Sequence, residues 1–342
     1  MKKTKHLLAK RQGITESDVL CRIEEFAAQT RTRSSGLHLG IGDDAALFKV
    51  RSGFDQILTC DWFLEGSHFL RDKHPPDAVG WKCLARAVSD VAAMGGVPRC
   101  FLLSLALPTS HTGLWLDQFL RGLRRAALRF GCALAGGDTT RRQDILINVT
   151  VMGEVRFGEA VLRPGARPGD AVFVSGRLGE AERGLRLFRN SKGRPNSRDP
   201  VFRKHLYPEP RLALGHWLAE KRLVSAMMDL SDGLSSDLRR LCAASRVGAQ
   251  VEAAKIPGVR LPKGGRRGGA TALDLALHGG DDYELLFTVP RSKLQHIPRS
   301  QYGTLLTAIG VITKERTLLL IDKAGRGIPL PNRGWDPFRN HR

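Results

Sequence analysis

No stretch of the 342-residue chain approaches the roughly 18 consecutive apolar residues that a membrane-spanning helix requires. Basic residues open the sequence, but no apolar segment follows them, so no secretory signal is expected and the protein is read as cytoplasmic. Cysteine is sparse and scattered (Cys21, Cys60, Cys83, Cys100, Cys132 and Cys242) with no C-x-x-C pair, which argues against a disulfide framework and a zinc ribbon. Aromatic residues make up only 6%, and none interleave with the basic clusters as a nucleic-acid stacking platform requires. Several signature motifs are missing too. There is no G-x-G-x-x-G, no H-E-x-x-H and no G-x-S-x-G, and the protein-kinase set is absent. Gly179 and Gly184 are spaced like P-loop glycines, but Leu-Arg follows them where Lys-Ser/Thr is needed. ATP, if used, must be bound by a different scaffold.

Hydrophobic residues at 42% and charged residues at 26% are the mix of a folded globular protein, and the length suggests about two domains. Lys plus Arg number 54 against 34 for Asp plus Glu, a formal charge of +20. Such an excess attracts polyanions: nucleic acid, acidic membrane surface or phosphorylated metabolites. The basic residues concentrate near 2–11, 183–211 and 255–267, and the stretch 189–200 is loop-like.

The apolar run at 56–61 reads as a buried strand ending in a polar turn. Pro75-Pro76-Asp77 then offers a helix start, and Val79, Leu84, Val88 and Val91 recur at helical spacing until Gly95-Gly96. Strands are expected at 101–107, 132–135 and 145–151, with an amphipathic helix at 113–130. Pro and Gly density rises at 163–170 and marks a domain boundary, giving units 1–160 and 161–342. A second series follows, with strands at 171–175, 225–229, 283–289 and 304–311 and helices at 180–189, 211–221 and 234–244. The Gly- and Arg-rich segment 261–270 reads as a loop. Two successive α/β domains are the coarse expectation.

Six short segments set aspartate beside glycine or a small polar residue: GIGDD (40–44), TCD (59–61), SD (89–90), GGDTT (136–140), DLSDG (229–233) and GGDDYE (279–284). They are read as loops at strand or helix ends. Singly, each is more often a turn with a capping Asp than a metal ligand. Likewise His68 alone reads as a partly buried histidine, Arg163 as a surface charge and Trp335 as a packing residue. Together, in so basic a chain, clustered carboxylates repel one another unless a divalent cation compensates, and oxygen ligands favour Mg2+. The neighbouring glycines let backbone N–H groups approach phosphate.

In that order, from GIGDDAA through TCDWFLEGSHF, SDVAAMGGVP, AGGDTT, LRPGARPGD and DLSDGL to GGDDYEL, the sequence resembles the thiamine-monophosphate kinase family, within the aminoimidazole ribonucleotide synthetase superfamily. The resemblance runs from about Gly40 to Trp335. It implies an α/β (α+β) fold of two domains: an N-terminal α/β domain whose strands form a dimer, which binds ATP and Mg2+, and a C-terminal α/β domain. It implies transfer of the γ-phosphoryl of ATP to thiamine monophosphate between those domains. Asp44, Thr59, Cys60, Asp61, Asp90, Asp138, Asp229 and Asp232 fall at Mg2+-binding positions. Gly137, Asp138, Arg163 and Ser231 fall at nucleotide positions, and His68, Asp281 and Trp335 at substrate positions. Cys60 stands where the family often has threonine, harmless if the contact is through backbone. Asp281 stands where glutamate is usual.

The chemistry is consistent with this implication. The acceptor is a phosphate monoester with a second pKa of about 6, so it carries an ionised oxygen at neutral pH and needs no general base. Related synthetases of the superfamily are the nearest alternatives. Selenophosphate synthetase would require a reactive Cys or selenocysteine near a Gly-rich N-terminus. The hydrogenase-maturation dehydratase would require a C-terminal Cys, whereas this sequence ends Arg-Asn-His-Arg. A basic nucleic-acid-binding protein on the same fold is the alternative of another class; acidic loops would oppose its binding to a polyanion.

Overall fold

The computed structural model describes residues 16–30, 36–41, 45–193, 195–261 and 270–338. Helix α1 (Glu16–Thr30) and the short strands β1 (Leu37–Leu39) and β2 (Leu47–Phe48) precede the first main sheet. There β3 (Phe54–Leu64) leads into α2 (Pro76–Ala93), β4 (Val97–Leu107), α3 (Leu114–Phe130), β5 (Ala133–Arg141) and β6 (Leu146–Arg156). The sheet order is β3-β6-β4-β5; only the β4–β5 pair is parallel.

Proline at the first turn pre-sets the backbone of α2, and Met94 and the left-handed Gly95 end it. Almost all of α2 is buried. It packs on α3, β3 and β6. The contact with α3 is close because Gly122 has no side chain: a Cβ there would sit 1.8 Å from the Asp77 carbonyl oxygen. Phe101, Leu103, Phe119, Leu123, Ile147 and Val149 fill this core.

The second unit comprises β7 (Ala171–Ser175), α4 (Glu180–Asn190), α5 (Arg203–Leu206), α6 (Leu212–Glu220), β8 (Ala226–Leu230), α7 (Leu234–Ser245), β9 (Gly248–Glu252), α8 (Ala272–His278), β10 (Glu284–Val289), β11 (Ser300–Gln301), β12 (Thr304–Thr313), β13 (Leu318–Ile321) and β14 (Gly327–Pro329). Its sheet runs β14-β13-β9-β12-β7-β10-β8, with β11 paired to β12. Strand β10 is buried along its whole length between β7 and β8. Val172, Val174, Leu238, Leu286 and Ile309 make the main core. Helix α2 also touches α6 and β8, so one buried helix spans both units.

The expected elements are found, several of them longer. The polar turn expected after 61 is absent, because β3 pairs in continuous register with β6 as far as Leu64. GGDTT is likewise strand and not loop, since pairing of β5 with β4 carries on to Arg141. Asp44 and most of the 261–270 loop lie outside the described residues. Among the described residues no helix is long and apolar enough to cross a membrane.

Candidate active site

Strand pleating sends alternate residues of β3 to opposite faces of its sheet. Thr59 and Asp61 face α2, where the Thr59 hydroxyl donates to Asp90 at 2.5 Å. From the adjacent position of α2, Ser89 donates to Asp229 of β8 at 2.7 Å. Asp61, Asp90 and Asp229, from a strand, a helix and the other unit's sheet, therefore lie within electrostatic reach of one another. Burial first, and then the charge of Asp61, push the Asp90 carboxyl above the usual carboxylate range. Burial and then Asp90 push Asp229 well above it. Holding such groups together is unfavourable without a compensating charge.

This donor set fits Mg2+ in its chemistry. Among the described residues no three Asp, Glu, His or Cys side chains converge on one metal position. Magnesium ordinarily takes one or two carboxylates and completes its shell with water and substrate phosphates, so sparse protein ligation is what it uses. Arg163 is exposed, but its charge reaches Asp90 and lowers that carboxyl against the larger effects above.

Beside the carboxylates lies a cavity of about 270 Å³. Its wall includes His68, Arg86, Ser231, Asp232, Asp281 and Trp335. The expected substrate residues are thus brought together, with two of the expected nucleotide and metal residues beside them. His68 accepts a bond from the Leu64 N–H through Nδ1 at 3.0 Å, so its neutral ring carries the proton on Nε2. Burial, reinforced by Arg86, lowers His68 to about 4, so it enters neutral chemistry as an uncharged donor. The Trp335 backbone is held in place, its main-chain N–H donating to the Asp232 carbonyl at 2.9 Å. The segment before it is fastened to α7, where Ser236 donates to Asn332 at 2.7 Å.

Asp281 occupies a left-handed backbone position with φ of 65°. Lys82 and the Tyr283 hydroxyl each bond it at 2.7 Å. Burial opposes its charge, but Lys82 and Arg86 outweigh burial and hold the carboxyl well below its ordinary range. Behind Lys82 a buried chain continues to His205 at 3.2 Å and on to His74 at 3.0 Å. Lys82, Arg86 and Asp90 recur every four residues of α2, a charged stripe on one helix face. That spacing was legible in the sequence, yet an apolar reading of α2 passes over Lys82 and Arg86.

Three expected residues stay apart. Register sets Asp138 in a row with Ser104, Asn148 and Trp62, on the sheet face opposite Asp61. Three strand spacings, about 14 Å, separate β5 from β3. Gly137 and Asp138 are both exposed there. Cys60 also points to that face, where the Asn148 amide donates to its sulfur at 3.1 Å. Any part Cys60 has in holding a cation falls to its backbone carbonyl.

The buried histidines set a pH dependence. His74, lowered to about 3 mainly by burial and next by Lys82, is neutral in the folded chain but protonates near 6.5 once unfolded. His205 is pushed down for the same leading reason. The unfolded chain therefore binds more protons between those values, and stability falls as pH drops from 6.5 toward 3. Chemical denaturation at pH 7 and pH 5 is expected to show a loss of about 1–2 kcal/mol per histidine. His74→Gln should flatten that slope; an unchanged slope contradicts the assignment.

Residues 42–155 match the family model described as AIR synthase related protein, N-terminal domain, and 167–322 the corresponding C-terminal domain. The thiamine-monophosphate kinase of Bacillus subtilis (strain 168) is 34% identical over 316 residues, covering 89% of this chain and 95% of the relative. The crystal structure of thiamine-monophosphate kinase from Stenotrophomonas maltophilia K279a superposes with a TM-score of 0.78 at 35% identity, covering 90% of this chain and 96% of that one. AaThiL complexed with AMPPCP and TMP gives a TM-score of 0.73 at 30% identity, covering 98% and 100%. Likeness of this extent, spanning both units and the cavity between α2 and the second sheet, shows that the chain belongs to the thiamine-monophosphate kinase family.

Proposed function

We propose that this protein transfers the γ-phosphoryl group of ATP directly to thiamine monophosphate, giving thiamine diphosphate and ADP. The observation that carries the reading is the cavity lined by His68, Asp281 and Trp335, adjoining the Asp61–Asp90–Asp229 cluster. A relative at 30% identity has been solved with AMPPCP, an ATP analogue, and TMP. Trp335 stacks on the thiamine rings, and His68 donates from Nε2. Asp281, kept ionised by Lys82, faces the cationic thiazolium side of the substrate. Ser231 and Arg163 contact the nucleotide. Thr59, Asp61, Asp90, Asp229 and Asp232, with Asp44 and the Cys60 carbonyl, would hold Mg2+, and Asp138, on the opposite sheet face, a separate ion. When bound, Mg2+ supplies charge neutralisation that lets two polyanions meet. No side chain is needed as nucleophile or base, because the acceptor oxygen is already ionised.

The protein acts as a cytoplasmic homodimer, with units 1–160 and 161–342. Leu58 and Trp62 support this, standing 65% and 55% exposed on the sheet face that also carries Asp138. Trp62→Lys is expected to convert dimer to monomer by light scattering; a parent chain that is already monomeric contradicts the dimer. The activity is tested by incubating chelator-treated protein with ATP and thiamine monophosphate, with and without Mg2+, and separating products by chromatography. Mg2+-dependent thiamine diphosphate is expected. Its absence with nucleotide still bound would redirect the reading to the related synthetases.

A further inference from the structure

Arg86 reaches from α2 into the cavity wall and stands between the carboxylate cluster and the substrate side. Its guanidinium lies 3.5 Å from Asp61 and 3.6 Å from Asp281. Both separations exceed the roughly 2.7–2.9 Å of a locked guanidinium–carboxylate bond. Its contact with the Tyr283 hydroxyl, 3.3 Å, is also long. Its Nε is buried and makes no hydrogen bond. Asp281 does not depend on it, being bonded by Lys82 and Tyr283 at 2.7 Å each. Arg86 is therefore a half-buried cation on the cavity wall whose terminal nitrogens are not committed to any short bond, on the side that the kinase reading gives to the phosphates. Burial works against its charge, but Tyr283, Asp281, Asp61 and Asp232 outweigh burial and keep it protonated.

We propose that Arg86 is a catalytic residue that clamps the phosphates, its guanidinium turning from Asp61 and Asp281 onto the acceptor phosphate and the γ-phosphoryl group as they meet. This rests on the kinase reading above. In the step, an ionised oxygen of the acceptor phosphate bonds to the γ-phosphorus while the bond from that phosphorus to the β–γ bridging oxygen breaks. The electron pair leaves with ADP, and no proton is moved. A planar fork of donors suits two neighbouring phosphates, and the interaction strengthens as they approach.

The test compares the parent with Arg86→Ala and Arg86→Lys by steady-state kinetics, nucleotide binding and thermal unfolding. Arg86→Ala is expected to lower kcat about 100- to 1,000-fold while the KM for thiamine monophosphate changes less than about tenfold. Nucleotide affinity and thermal midpoint should stay near those of the parent. Added methylguanidinium, and not methylammonium, should recover at least about tenfold of the lost kcat. Turnover within about threefold of the parent overturns the inference, as does a loss that methylguanidinium leaves untouched. Should Arg86→Ala not fold, Arg86→Lys decides. An ammonium cannot fork across two phosphates, so at least about a tenfold loss of kcat with nucleotide affinity retained is expected. Unchanged turnover in Arg86→Lys overturns the inference. A parent chain that makes no thiamine diphosphate overturns the kinase reading itself; an active parent with unaffected Arg86 variants overturns this inference alone.

Discussion

Asp90→Asn is expected to cut thiamine diphosphate formation by about a thousandfold, equivalent to about 4 kcal/mol of transition-state stabilisation. The same variant should unfold at a temperature equal to or above that of the parent. The two effects have one cause. Burial and the neighbouring Asp61 push the Asp90 carboxyl upward, and Asp229 beside it is pushed further. Asparagine keeps an oxygen to accept the Thr59 hydroxyl, so the bond at 2.5 Å survives while the repulsion does not. A residue serving only the fold would lose stability on this change. Lost activity with retained or raised stability marks a carboxylate kept for cation binding. Asp90→Asn with normal turnover would contradict the assignment of the cluster.

Glu284→Ala should have the largest effect on stability, about 3–5 kcal/mol by chemical denaturation. Glu284 opens β10 and is fully buried. Arg211 bonds it twice, once at 2.6 Å, Ser175 donates at 2.6 Å and Lys204 approaches to 3.3 Å. Burial disfavours its charge, but Arg211 and Lys204 reverse that and hold the carboxyl low. Removing it leaves Arg211, only 18% exposed, without its partner. The carboxylate also ties α5 and the start of α6 to β10. Glu284→Gln retains hydrogen bonding and should lose less. A change below about 1 kcal/mol in Glu284→Ala would show that Arg211 finds another partner cheaply.

Much of the fold was legible because its strands and helices follow strong periodicity. The apolar run before Asp61, the Pro-initiated α2 and the amphipathic α3 were all recoverable from one window each. The end of β3 was not, because its partner β6 begins some eighty residues later and keeps polar residues in register. For the same reason GGDTT looks like a turn, though it pairs along β4. Short strands β13 and β14 depend on pairing for their existence.

The site was legible as a set of residue types and not as a geometry. Periodicity reports which face of α2 is apolar, but not that the opposite unit lays Asp229 and Asp281 against Ser89, Lys82 and Arg86. Charged residues at Lys82 and Arg86 acquire meaning only once β8 and the Asp281 turn are brought to the helix. Nor does sequence reveal that Asp138 and the Cys60 thiol share a face away from Asp61.

The central claim is direct transfer between two substrates that meet at the α2 carboxylates. It is tested most directly by a rapid-quench single turnover with ATP radiolabelled in its γ-phosphate, excess protein, thiamine monophosphate and Mg2+. The label is expected to pass from ATP to thiamine diphosphate in one phase, with none on the protein and little as free phosphate. Label appearing first on the chain, or released as phosphate while thiamine monophosphate stays unmodified, would contradict the claim.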